Sequence, residues 1–382
     1  MNLQHCHQFA DFRRLAKRRL PAPLFHYIDG GAEDETTLQR NTAAFEQVAL
    51  VPDALADLSG LDISTSLLGR RLEMPLFCAP TGMSRLFHPD GERAVAQAAA
   101  SAGTCYSLST LSTVSIEAIG EATAGAKMFQ IYIHKDRSLT TEFIERCKAA
   151  DFDALCLTVD TLVSGNRERD KRSGLTMPPR LSAQSLLSFA LHPGWAWHYL
   201  RGEKFELANL SARLSRNQQD LVSVMGYVNE QFDPGVVWRD AEQIIAAWGK
   251  PFAIKGIMSV ADAKRAVDIG ASAIMLSNHG GRQLDGCAAP FEVLPRIADA
   301  VGGQVEIIVD GGIRRGSHVL KALALGANAC SMGRGYLFAL AAGGQAGVER
   351  ALGLMKAEIE RDMILMGCRH LKDLDRDKVI RL

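Results

Sequence analysis

The sequence has no surplus of charge of either sign: Lys plus Arg and Asp plus Glu each total 43 in 382 residues. That balance argues against nucleic acid as the main partner, since a phosphate-binding surface needs a basic excess. Long apolar runs are missing too. No stretch reaches the roughly 18 uninterrupted apolar residues of a membrane span, and the opening MNLQHCHQFADFRRLAKRRL holds no apolar core of signal-peptide length. The eight cysteines (6, 78, 105, 147, 156, 287, 330, 368) form no CxxC pair and no His/Cys ligand spacing, so no metal is expected. Several lie in apolar runs such as Leu76-Phe77-Cys78-Ala79 and read as buried reduced thiols, which fits a cytoplasmic chain. A strand–GxGxxG–helix fingerprint is absent, which argues against NAD in a Rossmann domain.

What is present is regular. Apolar segments at 75–80, 104–109, 127–132, 154–160, 252–256, 273–277, 305–310 and 327–332 alternate with amphipathic patterns such as 91–102 and 259–269. Near-continuous apolar strands separated by helices imply a parallel sheet, and eight such units imply an α/β fold of the (β/α)8 TIM-barrel type. The chain reads as one domain over 1–382, with a helical cap over 1–70, the barrel over 71–342 and terminal helices over 343–382. An insertion over 175–235 interrupts the barrel after strand four and predicts a long functional loop or lid. Its segment 186–200, LLSFALHPGWAWHYL, is too short to span a bilayer. Phe189, Trp195, Trp197 and Tyr199, flanked by Arg180, Arg201 and Lys204, could lie in a lipid interface. The equal alternative is a segment packed on the protein's own surface or on a subunit neighbour.

In a barrel the chemistry sits at the C-terminal ends of the strands, and those ends are polar here. They carry Pro80-Thr81-Gly82, Ser109, Gln130 with Tyr132, Thr158 with Asp160, Lys255, Ser277, Asp310-Gly311-Gly312 with Arg314, and Gly333-Arg334. The most informative stretch is SNHGGRQLDG, 277–286. His279 can move a proton near neutral pH, and Arg282 can grip a carboxylate with two parallel hydrogen bonds. Glycines and arginines after strands seven and eight fit a phosphate site.

SNHGGRQLDG, together with YIDGGAEDET (27–36), FQIYIHKD (129–136), LTVD (157–160), IKGI (254–257), DGGIRRG (310–316) and GCRHL (367–371), resembles the FMN-dependent α-hydroxy-acid dehydrogenases and oxidases. The resemblance covers nearly the whole chain and is weakest over 180–235. It implies an FMN cofactor, a small 2-hydroxy-acid substrate and a homotetramer. It implies that Pro80, Thr81, Gly82, Ser109, Gln130, Thr158, Lys255 and Ser277 hold the flavin, and that Asp310, Gly311, Gly312, Arg314, Gly333 and Arg334 take the ribityl phosphate. Tyr27, Arg167 and Arg282 would bind the substrate carboxylate, Tyr132 its hydroxyl, and His279 would be the base, with Asp160 beside it.

Three departures point toward a membrane-associated dehydrogenase. Gly82 stands where the oxidases usually carry alanine. Leu111 and Ser164 replace bulkier residues of glycolate oxidase, and the extra residues at 181–205 resemble a membrane-anchoring segment. Leu111 and Ser164 should widen the pocket; taken together, the departures imply a respiratory dehydrogenase with L-lactate as first substrate, a quinone or cytochrome as electron acceptor, and peripheral contact with the inner face of the cell membrane. Mandelate or another bulky 2-hydroxy acid is the competing substrate, and oxygen the competing acceptor.

Overall fold

A computed structural model of the chain describes residues 2–175, 180–203, 205–210, 231 and 233–382. Its centre is a closed barrel of strands β1 (Leu76–Thr81), β2 (Tyr106–Ser109), β3 (Lys127–Ile131), β4 (Ala154–Thr158), β5 (Phe252–Ile257), β6 (Ala273–Ser277), β7 (Glu306–Asp310) and β8 (Ala329–Met332). Every neighbouring pair is parallel, and β6 pairs with β7 as well as β5. Each strand overlaps its expected apolar segment, so the (β/α)8 architecture is as the sequence implied. The cause is burial on both sides: every residue of β3, β4 and β6 is buried, which only an apolar strand under an outer helical layer tolerates. Local signals start the helices. Ser259 caps Val260–Asp268 by accepting from Asp262 N, and Asp136 caps Arg137–Ala149 by accepting from Ser138 N.

The lower end of the barrel is plugged. A hairpin of Thr65–Leu67 and Arg70–Leu72 packs Leu67, Leu68 and Leu72 on Phe77, Met128, Cys156, Met275 and Ile308. Leu68 N donates to Glu306 Oε2 at 2.8 Å, which fixes the plug at the start of β7. The opposite, C-terminal end opens into the cavity described below.

Helices Phe9–Arg19, Ala22–Asp29 and Thr36–Ala43 precede the barrel. Asp29 is clamped there by Arg13 and by Arg169. Helix Arg334–Leu365 follows β8 directly and breaks at Gly343 and Gly344. The expectation of helices to residue 382 needs correcting: Gly367 takes φ +70° just past the helix end, and strand Val379–Arg381 pairs antiparallel with Val48–Leu50. A left-handed glycine ends a helix at little cost.

Between β4 and β5 lie helices Glu168–Ser173, Ala183–Ala190, Pro193–Arg201 and Trp238–Trp248. Lys204 and most of the polar part of the insertion fall outside the described residues. The helix pair over 183–201 has two faces. Phe189 and Trp195 turn inward, and Trp195 Nε1 donates to Leu86 O at 2.8 Å. Leu186, Leu187, Leu191, Trp197 and Leu200 are exposed, and the Arg201 guanidinium lies 3.7 Å from the Trp197 ring centre. No helix among the described residues is long and apolar enough to cross a membrane.

Candidate active site

A cavity of about 390 Å³ opens at the C-terminal ends of the strands. Strand register builds its floor. Thr158 pairs with Lys255 across β4 and β5, and Asp310 sits between Ser277 and Ser331 across β6, β7 and β8. Ser277 Oγ donates to Asp310 Oδ2 at 2.7 Å, and Ser331 Oγ to Asp310 Oδ1 at 2.6 Å. Lys255 Nζ then donates to Ser277 Oγ at 3.0 Å and lies 3.5 Å from both Asp160 and Asp310. Burial works against its charge, but Asp160 and Asp310 outweigh that and hold the ammonium above the usual lysine range.

His279 sits on the loop after β6 with φ +54°, a left-handed conformation that costs a non-glycine residue energy and persists only where surroundings impose it. Ser277 Oγ accepts its backbone N–H at 3.1 Å. Its Nδ1 lies 2.9 Å from Asp160 Oδ1 and 3.2 Å from Thr161 Oγ. Both ring contacts are at Nδ1, which leaves Nε2 for the cavity. Burial pushes the imidazole below the ordinary histidine value of 6.5, and Asp160 opposes this only in part. Burial likewise disfavours the Asp160 carboxylate, but Lys255 and then His279 overrule it and hold it well below the usual range. The pair is thus a neutral base beside a fixed anion. A proton taken at Nε2 makes an imidazolium that Asp160 stabilises where water cannot.

Arg282 shares that loop. Its guanidinium donates to the carbonyls of Tyr27 and Gly30 and lies 4.7 Å from the Tyr27 ring centre. Burial, and then the charge of Arg167, push it below the usual arginine range. Two guanidinium groups facing one buried space are relieved by an incoming carboxylate. Tyr132 lines the same space, with its phenol pushed up to about 12 by burial, so it stays protonated and donates. The loop reaches its place because Gly281 has φ +72° and no side chain; a Cβ there would meet Leu38 N at 2.5 Å.

At the other end Gly311, Gly312, Arg314, Gly333 and Arg334 line the cavity. Arg334 donates to Ile28 O, Gly280 O and Gly30 O at 2.7–2.9 Å, tying the end of helix Ala22–Asp29 to the loop after β6. Arg314 donates to Ile313 O and is pushed down to about 10 by burial. A buried guanidinium with so little compensation marks an anion site. Six cationic side chains line the cavity against two carboxylates, Asp170 and Asp310, so it suits a phosphate together with an organic acid.

The middle of the cavity fits a flat polar ring. Beside the lining residues Ser109 and Lys255, Gln130 Nε2 and Thr158 Oγ1 are buried without a hydrogen-bond partner, although Ser109 Oγ donates to Gln130 Oε1 at 3.0 Å. Orphaned polar atoms cost about 1–3 kcal/mol each, which a ligand carrying carbonyl and imide groups removes. Pro80, Thr81, Gly82 and Ser109 line the same wall. The Ser277 hydroxyl donates to Asp310 and accepts from Lys255, which holds the cavity-lining lysine in place.

Comparison with known proteins decides what the ring is. The model of the FMN-dependent dehydrogenase family matches residues 16–381. The chain belongs to this family. As a family member it uses FMN, and the phosphate-and-ring cavity is where that cofactor fits. An L-lactate oxidase of a Nostoc species is 43% identical over 369 residues, 96% of this chain and 95% of its own. An L-lactate dehydrogenase of Yersinia pestis is 42% identical over 370 residues, 97% of each chain. Among solved structures, (S)-mandelate dehydrogenase, described as a monotopic membrane protein, superposes with a TM-score of 0.94 at 35% identity, covering 99% of this chain and 100% of that one. Mandelate oxidase with (S)-4-hydroxymandelic acid gives 0.85 at 38%, covering 97% and 98%.

Several residues at the site escaped sequence reasoning. Thr161 bridges His279 and Asp160. Asp170 lines the cavity as a buried carboxyl, raised by that burial. Asn41 and Asn278 exchange side-chain hydrogen bonds at 2.8 and 2.7 Å, holding the cap on the catalytic loop. Asp285, by contrast, stands out in the sequence with His279 and Arg282 but stays outside the cavity lining and accepts from Thr36 N and Thr37 N, binding the loop to helix Thr36–Ala43.

Proposed function

We propose that this family member oxidises an L-2-hydroxy acid, L-lactate first, to the 2-oxo acid and passes the electrons to a quinone or cytochrome. The observation that carries the reading is His279, backed by Asp160, facing the same cavity as Arg282 and Arg167. Arg282, Arg167 and Tyr27 grip the carboxylate and fix the hydroxyl-bearing carbon. Tyr132 donates to the oxygen that becomes the ketone. Nε2 of His279 removes one proton, from C2 or from the hydroxyl, and Asp160 holds the resulting imidazolium in place. Bound FMN supplies the two-electron acceptor. The Pro80–Gly82 backbone, Ser109, Gln130, Thr158 and Lys255 would hold its ring; Gly311, Gly312, Arg314, Gly333 and Arg334 would hold its phosphate.

Lactate is favoured by the identity to lactate-named relatives. A bulkier acid such as (S)-mandelate is the second reading, favoured by Leu111 and Ser164 in the cavity wall and by the superposition on (S)-mandelate dehydrogenase. Both fit one panel experiment. L-lactate should bleach the flavin anaerobically faster than (S)-mandelate at equal concentration, and a quinone should restore the colour faster than air. Bleaching by neither acid would overturn the reading.

The apolar outer face of the 183–201 helices supports peripheral membrane contact within 181–205, as does the monotopic relative. Buried apolar area and flanking cations drive such binding. Replacing Leu187, Leu191, Trp197 and Leu200 together by serine should release the protein from anionic vesicles in a sedimentation assay. Turnover with a soluble dye should not change.

A further inference from the structure

Two loops rise over the cavity, 159–167 after β4 and 278–286 after β6, and each delivers an arginine to it. We propose that Gln283 is the latch between these loops and the residue that positions Arg167 for the substrate carboxylate; this rests on the carboxylate-binding role proposed above for Arg167. The amide of Gln283 uses both of its ends on the opposite loop. Nε2 donates to Val163 O at 2.7 Å. Oε1 accepts from Gly165 N at 3.2 Å and from Arg167 Nη2 at 3.3 Å. Arg167 Nε reaches the carbonyl of the adjacent Arg282 at 3.4 Å, so one contact of the guanidinium runs to the 282–283 peptide and the other to the Gln283 side chain.

The contact is one of backbone against backbone. A Cβ on Gly165 would lie 2.1 Å from Arg282 O and 2.9 Å from Gln283 Cα, so no larger residue fits between the loops as they stand. Apolar burial does little to hold them together: Val159 packs on the core at the foot of its loop, while Leu162, Val163 and Leu284 are 44%, 66% and 70% exposed. Burial energy follows area removed from water, and polar bonds must therefore set the loop geometry. The latch is neutral, which matters. A carboxylate at position 283 would orient Arg167 equally well but would neutralise it and compete with the substrate's own carboxylate. An amide orients the guanidinium and leaves its charge for the ligand.

The test uses the holoenzyme and separates position from charge. Gln283→Ala should raise KM for L-lactate about tenfold, the cost of one lost hydrogen bond to a charged group, while kcat, FMN content and melting temperature change little. KM for the methyl ester, which has no carboxylate, should stay put. Gly165→Ala, which wedges the loops apart by other means, should give the same split. Gln283→Glu should also raise KM for lactate. An Arg167→Met, Gln283→Ala double variant should be no worse than Arg167→Met alone, since the latch acts through Arg167. If Arg167→Met raises KM and Gln283→Ala does not, the latch is overturned and the role of Arg167 stands. If Arg167→Met leaves KM unchanged, the carboxylate reading falls and the latch falls with it.

Discussion

His279→Gln should leave a yellow, folded holoenzyme whose reduction by L-lactate is slower by about 10²–10⁴, the usual contribution of a positioned general base. Glutamine can still hydrogen-bond Asp160 but cannot accept and hold a proton, so only the proton step is removed. Anaerobic stopped-flow absorbance reads the loss directly, and unchanged FMN content shows that the fold has survived. Near-normal reduction would remove His279 from the mechanism. In the unmodified protein the base works only when neutral. Because burial holds its pKa below 6.5, activity should persist as pH falls through that value, and the acid limb of kcat/KM should lie beneath it. A limb well above 6.5 would mean that Asp160 outweighs burial.

How far such a site can be read before folding depends on the range of its contacts. β3, β4 and β6 announce themselves because burial on both faces demands uninterrupted apolar residues. His279, Arg282, Lys255 and Asp160 could be singled out because a charged group ending such a strand has no structural reason to be there. Their meeting could not. Asp160 and His279 lie 119 positions apart, and the 2.9 Å between them follows from barrel closure. Resemblance, rather than spacing, carried that pairing. The Asn41–Asn278 exchange and the Gln283 latch are invisible for the same reason: a surface-type amide shows nothing of a partner more than a hundred positions away. Ser277 shows what spacing hides: strand register places Asp310 next to it, and its hydroxyl donates to that carboxylate, a bond no local pattern announces. The helix pair of the insertion was legible as amphipathic, but only the structure separates Trp195, bonded to Leu86 O, from the exposed Trp197.

Lys255→Met should be the most damaging single change away from the base, and through stability as much as catalysis. The ammonium lies 3.5 Å from two carboxylates, Asp160 and Asp310, whose side chains are each 11% exposed. Removing one partner of a buried ionic set typically costs about 3–5 kcal/mol, because an uncompensated charge stays behind. Here two stay behind. Thermal unfolding should therefore begin at a distinctly lower temperature, and FMN should be lost more readily on dialysis, since Lys255 lines the cavity in which the ring fits. The variant also reports on the base. Lys255 lowers the pKa of His279 by repulsion, and without it the imidazole should hold its proton to higher pH. The acid limb of any residual activity should accordingly move up, the opposite of what simple damage to the fold produces. Lys255→Arg keeps the charge and should restore most of the stability, while its broader fork fits poorly between Asp160, Ser277 and Asp310. Restored melting with activity still low would separate the two roles of this lysine: a counter-ion that lets two carboxylates be buried side by side, and the fixed cation proposed for the flavin.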